Sequence, residues 1–468
     1  MNAPRHPGLL FRALPALILC GWISGAPAAE PLVWQMDRDQ VDAEMEAWPL
    51  PKVLSAIASA TGWDIYVEPD TRYTVTTRFR NLKIPEALRR LLGELNFALI
   101  PQTNGPARLF VYQHSVQDAT RLIEAPNRAR ARAAAPRPVP GELIVRLKPG
   151  ADEDIDALAR RLGAKVTGRI DDLNAYRLEF EDEDAARRAR AELESDTDVA
   201  SVEDNLAIPG PGDLVAPAPG APPPPPFKLN PPDASGRLVV ALVDTAVQSQ
   251  GAPWADNLLD SMSLAGDAPL DSGQISHGTA MMDTLWNALG HTLTDPGSAS
   301  VAFLTFDVYG SSSSTTMFDV ARAIIEAVNQ DAKIVNLSLG GMGQSALLND
   351  VLKQARARDV LLIAAAGNEH DTRLTIPAAN ENVLAVTAGD RHGEIAGYAN
   401  YGDFVDIIAP GASLVNNSGQ TFLIVGTSAA AANTSGAAAG LAINLQTTPM
   451  QAVPGITELR GFSPVKRP

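Results

Sequence analysis

Cysteine is all but missing from this chain: Cys20 is the only one in 468 residues. No disulfide can form within the molecule, so its stability has to come from packing or bound ions. Positive charge is in deficit. Lys and Arg number 38 against 54 Asp and Glu, for a net charge of −16, which excludes nucleic acid and anionic membrane surfaces as natural partners. Long apolar runs are absent beyond the N-terminus, and the one there is shorter than the ~20 residues a membrane-spanning helix needs. Zinc, nucleotide and haem signatures are missing too, so no cofactor is expected. No dense set of oxygen ligands appears. Asp267, Asp271 and Asp295 are loop acids, read as solvated in preference to holding a calcium ion.

What is present begins with an export signal over residues 1–29. Arg5 and Arg12 give a basic flank, Leu14 to Ile23 an apolar core, and Ala26-Pro27-Ala28-Ala29 small residues for cleavage. The mature protein is therefore expected to be secreted or periplasmic, without a membrane span. Leu17-Ile18-Leu19-Cys20-Gly21 resembles a bacterial lipoprotein signal, but Leu19 is large where that signal takes a small residue. That argues against a lipid anchor on Cys20.

The length suggests about two to four domains, and the pattern supplies boundaries. Residues 31–116 read as a small α+β domain. It has strands around Val41–Met45, Trp63–Val67, Tyr73–Phe79, Phe97–Ile100 and Leu109–Tyr112, and helices over Pro51–Thr61 and Pro85–Leu95. Leu50-Pro51-Lys52-Val53-Leu54, Thr61-Gly62-Trp63 and Asn81-Leu82-Lys83-Ile84-Pro85-Glu86-Ala87-Leu88 are similar to the short N-terminal domain of secretins and TonB-dependent receptors. That likeness implies a Gram-negative-type envelope and a secretion or receptor complex as a partner. Residues 117–139, with Arg128, Arg130 and Arg132 among alanines, read as a linker.

Residues 140–207 run strand, helix, strand, strand, helix, strand, the ferredoxin-like plan. Gly141-Glu142-Leu143-Ile144-Val145-Arg146-Leu147, Asn174-Ala175-Tyr176-Arg177-Leu178 and Asp198-Val199-Ala200-Ser201-Val202-Glu203-Asp204-Asn205 resemble the propeptide of subtilisin-like proteases. Such a propeptide covers the cleft, assists folding and is cut away. Residues 208–235, with the run Pro222 to Pro226, read as a semi-rigid spacer lying outside any core.

From 236 to 468 apolar strands alternate with helices, the signature of an α/β sheet covered on both faces. In such sheets ligands bind beyond the carboxyl ends of the strands. Asp244 ends the run Val239 to Val243, His277 stands at a helix start, and Ser428 leads a run of alanines in Gly426-Thr427-Ser428-Ala429-Ala430. By itself Ser428 reads first as a helix cap, and only with partners as a nucleophile at a helix N-terminus, where unpaired N–H groups favour an oxyanion. A serine nucleophile needs a base, and the base needs a carboxylate to orient it. Asp244, His277 and Ser428 supply these in an order known for that geometry. Asn368 follows the strand Val360–Ala365 and offers an amide to an oxyanion hole. Ser338, Leu339 and Gly340 follow Ile334–Leu337 and offer backbone to an extended peptide.

These motifs, with Tyr401-Gly402-Asp403-Phe404-Val405-Asp406-Ile407-Ile408-Ala409-Pro410-Gly411, resemble the subtilisin-like serine proteases over about 236–445. The fold class implied is α/β: a subtilisin-like, mostly parallel sheet with helices on both faces, preceded by two small α+β domains. The activity implied is that of a serine endopeptidase made as a zymogen. Asp244, His277 and Ser428 would be its charge relay, Asn368 its oxyanion hole, a protein or peptide its substrate, and its own propeptide its intramolecular inhibitor. Several positions depart from the family pattern: Ala246 for glycine, Ala280 for histidine, Asp283 for a small residue, and Ala432 and Asn433 for proline and histidine. The short tail after Gln446 leaves the family's last helices in question. Two other functions stay open: a protease-like envelope-binding protein with a permanently filled cleft, and transpeptidation or ester cleavage by the same serine.

Overall fold

The computed structural model describes residues 31–100, 106–123, 135–212, 214–218, 221–232, 236–268, 270, 274–390 and 392–465. The export signal with Cys20, the three linker arginines and Asp271 lie outside them.

The first domain holds two sheets. Leu32–Gln35, Gln40–Pro49 and Thr74–Leu82 form an antiparallel three-stranded sheet. Asn96–Ile100, Arg108–Tyr112, Asp64–Val67 and Arg121–Ile123 form a four-stranded one in that spatial order. The strand Arg121–Ile123 carries this sheet past residue 116, into the stretch read as linker. Helix Leu50–Thr61 has proline in its first turn and stops on Gly62, whose left-handed φ of 72° suits glycine. Its Val53, Leu54 and Ile57 are fully buried.

The second unit follows the strand and helix order read from the sequence. Val199–Pro209, Pro138–Leu147, Ala175–Glu179 and Lys165–Ile170 lie side by side, all antiparallel. Helices Ile155–Leu162 and Glu183–Leu193 each start from an aspartate. Asp154 accepts from the Ala157 N–H at 2.8 Å and Asp182 from the Ala185 N–H at 2.7 Å, the capping for which Asp is suited.

The third unit is an eight-stranded sheet. Its order is Leu258–Ser263, Val301–Asp307, Leu238–Asp244, Ile334–Leu337, Leu361–Ala365, Val383–Gly389, Ile407–Pro410 and Ser463–Pro464, parallel except for the last pair. Burial of both faces explains the unbroken apolar strands. Val240 and Leu242 face helices His277–Thr292 and Thr427–Leu445. Val239, Ala241 and Val243 face helices Met317–Asn329 and Ala346–Ala357. The edge strand Leu258–Ser263 escapes sequence reading because it is mostly exposed and carries no apolar run. The tail does form a helix, Pro449–Ile456, closed by a Thr448–Gln451 capping box. The spacer is not outside the core: Phe227 and Leu229 pack on the main cluster, and the Phe227 ring lies 4.8 Å from that of Trp286.

The second unit sits on helices Met317–Asn329 and Ala346–Ala357. Ile144, Ile170, Ala175, Leu206 and Ile208 share one apolar cluster with them. Arg177 pairs with Asp319 at 2.8 Å and Arg146 with Asp350 at 2.5 Å. The Glu203 carboxylate caps the second helix, accepting from the Ala346 N–H at 2.7 Å, the Leu347 N–H at 3.2 Å and the Ser345 hydroxyl at 2.7 Å. A carboxylate at a helix N-terminus meets both its unpaired donors and its dipole.

Candidate active site

One strand end and two helix starts carry the residues of the site. Asp244 is the last residue of the strand Leu238–Asp244 and is 1% exposed. Its Oδ1 accepts from His277 Nδ1 at 2.8 Å and from the Thr245 N–H at 2.7 Å. A carboxylate only accepts, so the imidazole proton in this contact sits on Nδ1 and Nε2 is the basic nitrogen. The turn that delivers His277 is tight. Ser276 caps its helix, accepting from the Thr279 N–H and donating to the Ala246 carbonyl at 2.7 Å. A Cβ on Gly278 would lie 2.1 Å from the Thr245 carbonyl oxygen, so only glycine lets the helix start approach the strand end this closely.

Ser428 is the second residue of helix Thr427–Leu445, and Gly426 takes the cap position. The helix-cap reading of Ser428 is thereby corrected: its hydroxyl reaches across the helix end. Ser428 Oγ donates to the Ser338 carbonyl at 3.1 Å, and Ser338 Oγ donates to the Ser428 carbonyl at 3.1 Å. Strand register sets Leu337 beside Val243, hence Ser338 beside Asp244. Ser428 and Ser338 are thus bonded to each other, and the bonded pair Asp244 and His277 starts from the end of the neighbouring strand. Asn368 Oδ1 accepts from the Thr427 N–H at 2.9 Å. With its oxygen so engaged, Nδ2 is the donor end of that amide. The Thr427 hydroxyl in turn accepts from the Gly367 N–H at 3.1 Å, tying the two turns together.

Of the residues read from the sequence as peptide-binding, Ser338 and Leu339 are buried and Gly340 is half-buried. Gly341 pairs with Ile376 rather than with an incoming chain. The ladder that sequence reading missed comes from Ser314–Thr316. It pairs antiparallel with the end of the second unit, Ala207 opposite Thr316 and Pro209 opposite Ser314, and is continued by Gly210 N–H to the Ser313 carbonyl at 2.8 Å. Ile208, fully buried, lies against Gly341, and Tyr309 donates to the Pro209 carbonyl at 3.2 Å. Asp307 holds the turn leading there, accepting from the N–H groups of Tyr309 and Gly310 at 3.0 and 2.9 Å. The polar run Ser311–Thr316 after an apolar strand is the signal that marks this element.

The departures from the expected pattern have local partners. Asn433 donates to the Pro410 carbonyl at 2.9 Å and to Ser413 Oγ at 3.1 Å, fastening the first turns of the serine helix without a proline. Asp283 is buried and accepts from Trp254 Nε1 at 2.6 Å, and its burial pushes its carboxyl up to about 7. Asp267 is exposed, and Asp295 accepts from the Gly297 N–H at 3.1 Å. Among the described residues no group of His, Cys, Asp or Glu could hold a metal ion.

Residues 236–452 match the family model described as the subtilase family, and residues 124–205 that described as the fervidolysin N-terminal prodomain. The chain is 32% identical over 203 residues to subtilisin Savinase of Lederbergia lenta, covering 43% of this chain and 74% of that one. It is 33% identical over 215 residues to the thermophilic serine proteinase of Bacillus sp. (strain AK1), 43% of this chain and 51% of its relative, so it spans about half that protein's length. Among solved structures, fervidolysin from Fervidobacterium pennivorans, a keratinolytic enzyme related to subtilisin, matches with a TM-score of 0.54. That match has 20% identity and covers 69% of this chain and 57% of the other. The epidermin leader peptide processing serine protease from Staphylococcus aureus gives 0.52 at 18% identity, over 67% of this chain and 92% of its own. Both carry the fold alone.

Proposed function

Because the chain belongs to the subtilase family, we propose that it is an exported serine endopeptidase made as a zymogen. The observation that carries this reading is the 2.8 Å bond from His277 Nδ1 to the buried Asp244 carboxylate, beside a serine at a helix N-terminus. Ser428 Oγ attacks the peptide carbonyl and its proton passes to His277 Nε2. Asp244 stabilises the imidazolium that forms, and the proton then goes to the leaving amine. Asn368 Nδ2 and the Ser428 N–H hold the oxyanion. Water completes hydrolysis of the acyl-enzyme, and no cofactor takes part. Residues 313–316 and 338–340 receive the peptide backbone, which tolerates varied side chains. The 140–207 unit acts as intramolecular inhibitor, its last residues lying along that ladder. The first domain's likeness to secretin and TonB-receptor modules supports a place in a Gram-negative-type envelope, next to a secretion or receptor complex.

The test is expression of wild type beside Ser428→Ala. Wild type is expected to lose its N-terminal part and react with a fluorophosphonate probe, and the variant to stay full length and unlabelled. A wild-type chain that stays whole and resists the probe would sink the reading.

A further inference from the structure

The chain stays on the third unit after the second one ends, pairing with it at two places. On one side, Ala207 to Gly210 are held by Ser313–Thr316. On the other, Leu214–Pro217 adds as an antiparallel strand to Gln420–Val425, with Leu214 opposite Val425. Val425 leads directly into Gly426-Thr427-Ser428. The Ala218 N–H continues that ladder to the Thr421 carbonyl at 2.8 Å. The chain is therefore held on either side of the short stretch between Gly210 and Leu214, by Ser313 before it and by Val425, three residues ahead of Ser428, after it.

A third hold comes from the first domain. Arg108 Nη2 donates to the Gly212 carbonyl at 3.0 Å. The domain that carries Arg108 is docked on the peptidase, independently of the inhibitor unit. Tyr66 stacks on Phe110, ring centres 5.2 Å apart, and meets Tyr398 edge-on at 5.9 Å. The Gly397 N–H donates to the Thr120 carbonyl at 2.7 Å. A Cβ on Gly397 would lie 2.6 Å from the Leu122 nitrogen and 2.9 Å from the Thr120 oxygen, so the docking is close. Tyr398 donates to the Gly411 carbonyl at 3.1 Å, which also accepts from the Gly426 N–H at 2.9 Å. The docking post thus rests on the same carbonyl as the turn carrying the serine.

We infer that the first domain positions the chain for its own processing: Arg108 fixes the Gly210–Leu214 crossing over Ser428, and the cut falls within it. The inference rests on the peptidase reading above. In the step, Ser428 Oγ bonds to the carbonyl carbon of the scissile residue as the C–N bond breaks. The serine proton passes through His277 to the new amine. Water then releases the upstream piece as a carboxylate and restores the serine hydroxyl. Arg108 touches the substrate segment away from the reacting groups; its part is orientation, to which such steps are sensitive.

The experiment uses the full chain, with processing followed over time at several concentrations and the new ends read by N-terminal sequencing and mass spectrometry. Wild type is expected to cut at one bond between Gly210 and Leu214, at a rate independent of concentration. Arg108→Ala, and separately Gly397→Ala, which wedges the docking face, should slow the cut roughly tenfold and scatter the ends. Arg108→Lys should restore the single site in part. Once cut, all variants should hydrolyse a short peptide with wild-type kcat/KM, a result a folding defect would not give. Unchanged or faster cutting at the same bond in both weakened variants overturns the positioning role alone. A wild-type chain that is never cut overturns it together with the peptidase reading.

Discussion

At the scale of single residues, the buried acid Asp283 makes the sharpest demand. Its carboxyl is held up to about 7 by burial, which outweighs the lowering by the bond it accepts from Trp254, whereas in the unfolded chain it titrates near 3.9. Between those values the folded state keeps a proton that the unfolded state has lost. Stability should therefore fall as pH rises through that window, by about 1.4 kcal/mol per pH unit. Urea unfolding between pH 4 and pH 8 is expected to show the slope, and Asp283→Asn, whose amide oxygen can still accept from Trp254, should flatten it. Asp283 was legible only as a departure from a family pattern, because nothing in its neighbours along the chain says that Trp254 will meet it. Asp244, His277, Ser428 and Asn368 were legible because each stands where an apolar run stops or a helix starts, which is where a parallel sheet exposes chemistry. The bond of Ser428 to Ser338 was not: Ser338 lies 90 residues away in sequence, at the end of another strand.

At the scale of elements, the helices that start at His277 and Thr427 set how far apart His277 and Ser428 stand by how closely they pack. The Ser428 helix is almost all small residues, and two glycines face its partner. A Cβ on Gly436 would lie 2.2 Å from the Leu285 carbonyl oxygen, and one on Gly440 would lie 2.7 Å from Thr292. Backbone cannot yield as a flexible side chain does. Gly436→Val is expected to cost about 3 kcal/mol of stability through overpacking, read as a lower urea midpoint at unchanged slope. Five strands of the central sheet, Leu238–Asp244, Val301–Asp307, Ile334–Leu337, Leu361–Ala365 and Val383–Gly389, were read from their apolar runs. Leu258–Ser263 and the ladder Ser314–Thr316 were missed because an edge strand in contact with solvent or with another chain needs no apolar face.

At the scale of the whole molecule, the upstream units are built onto the peptidase rather than tethered to it. Glu203 caps a helix of the peptidase through three hydrogen bonds. Losing such a cap costs about 1–2 kcal/mol. Glu203→Ala is therefore expected to release the cut inhibitor roughly tenfold faster, measured as the rate at which peptide hydrolysis appears after processing. The amino-acid sequence by itself determined the strand and helix types, the ferredoxin-like order of the second unit and the residues with the chemistry of a serine peptidase. Each of those follows from local periodicity, capping and residue type. Only the tertiary structure decided that Glu203 would cap Ala346–Ala357, that the spacer would lay Phe227 against the core, and that Arg108 would hold the Gly212 carbonyl. Those contacts join positions far apart along the chain, and their energy comes from surfaces that exist only once each unit has folded.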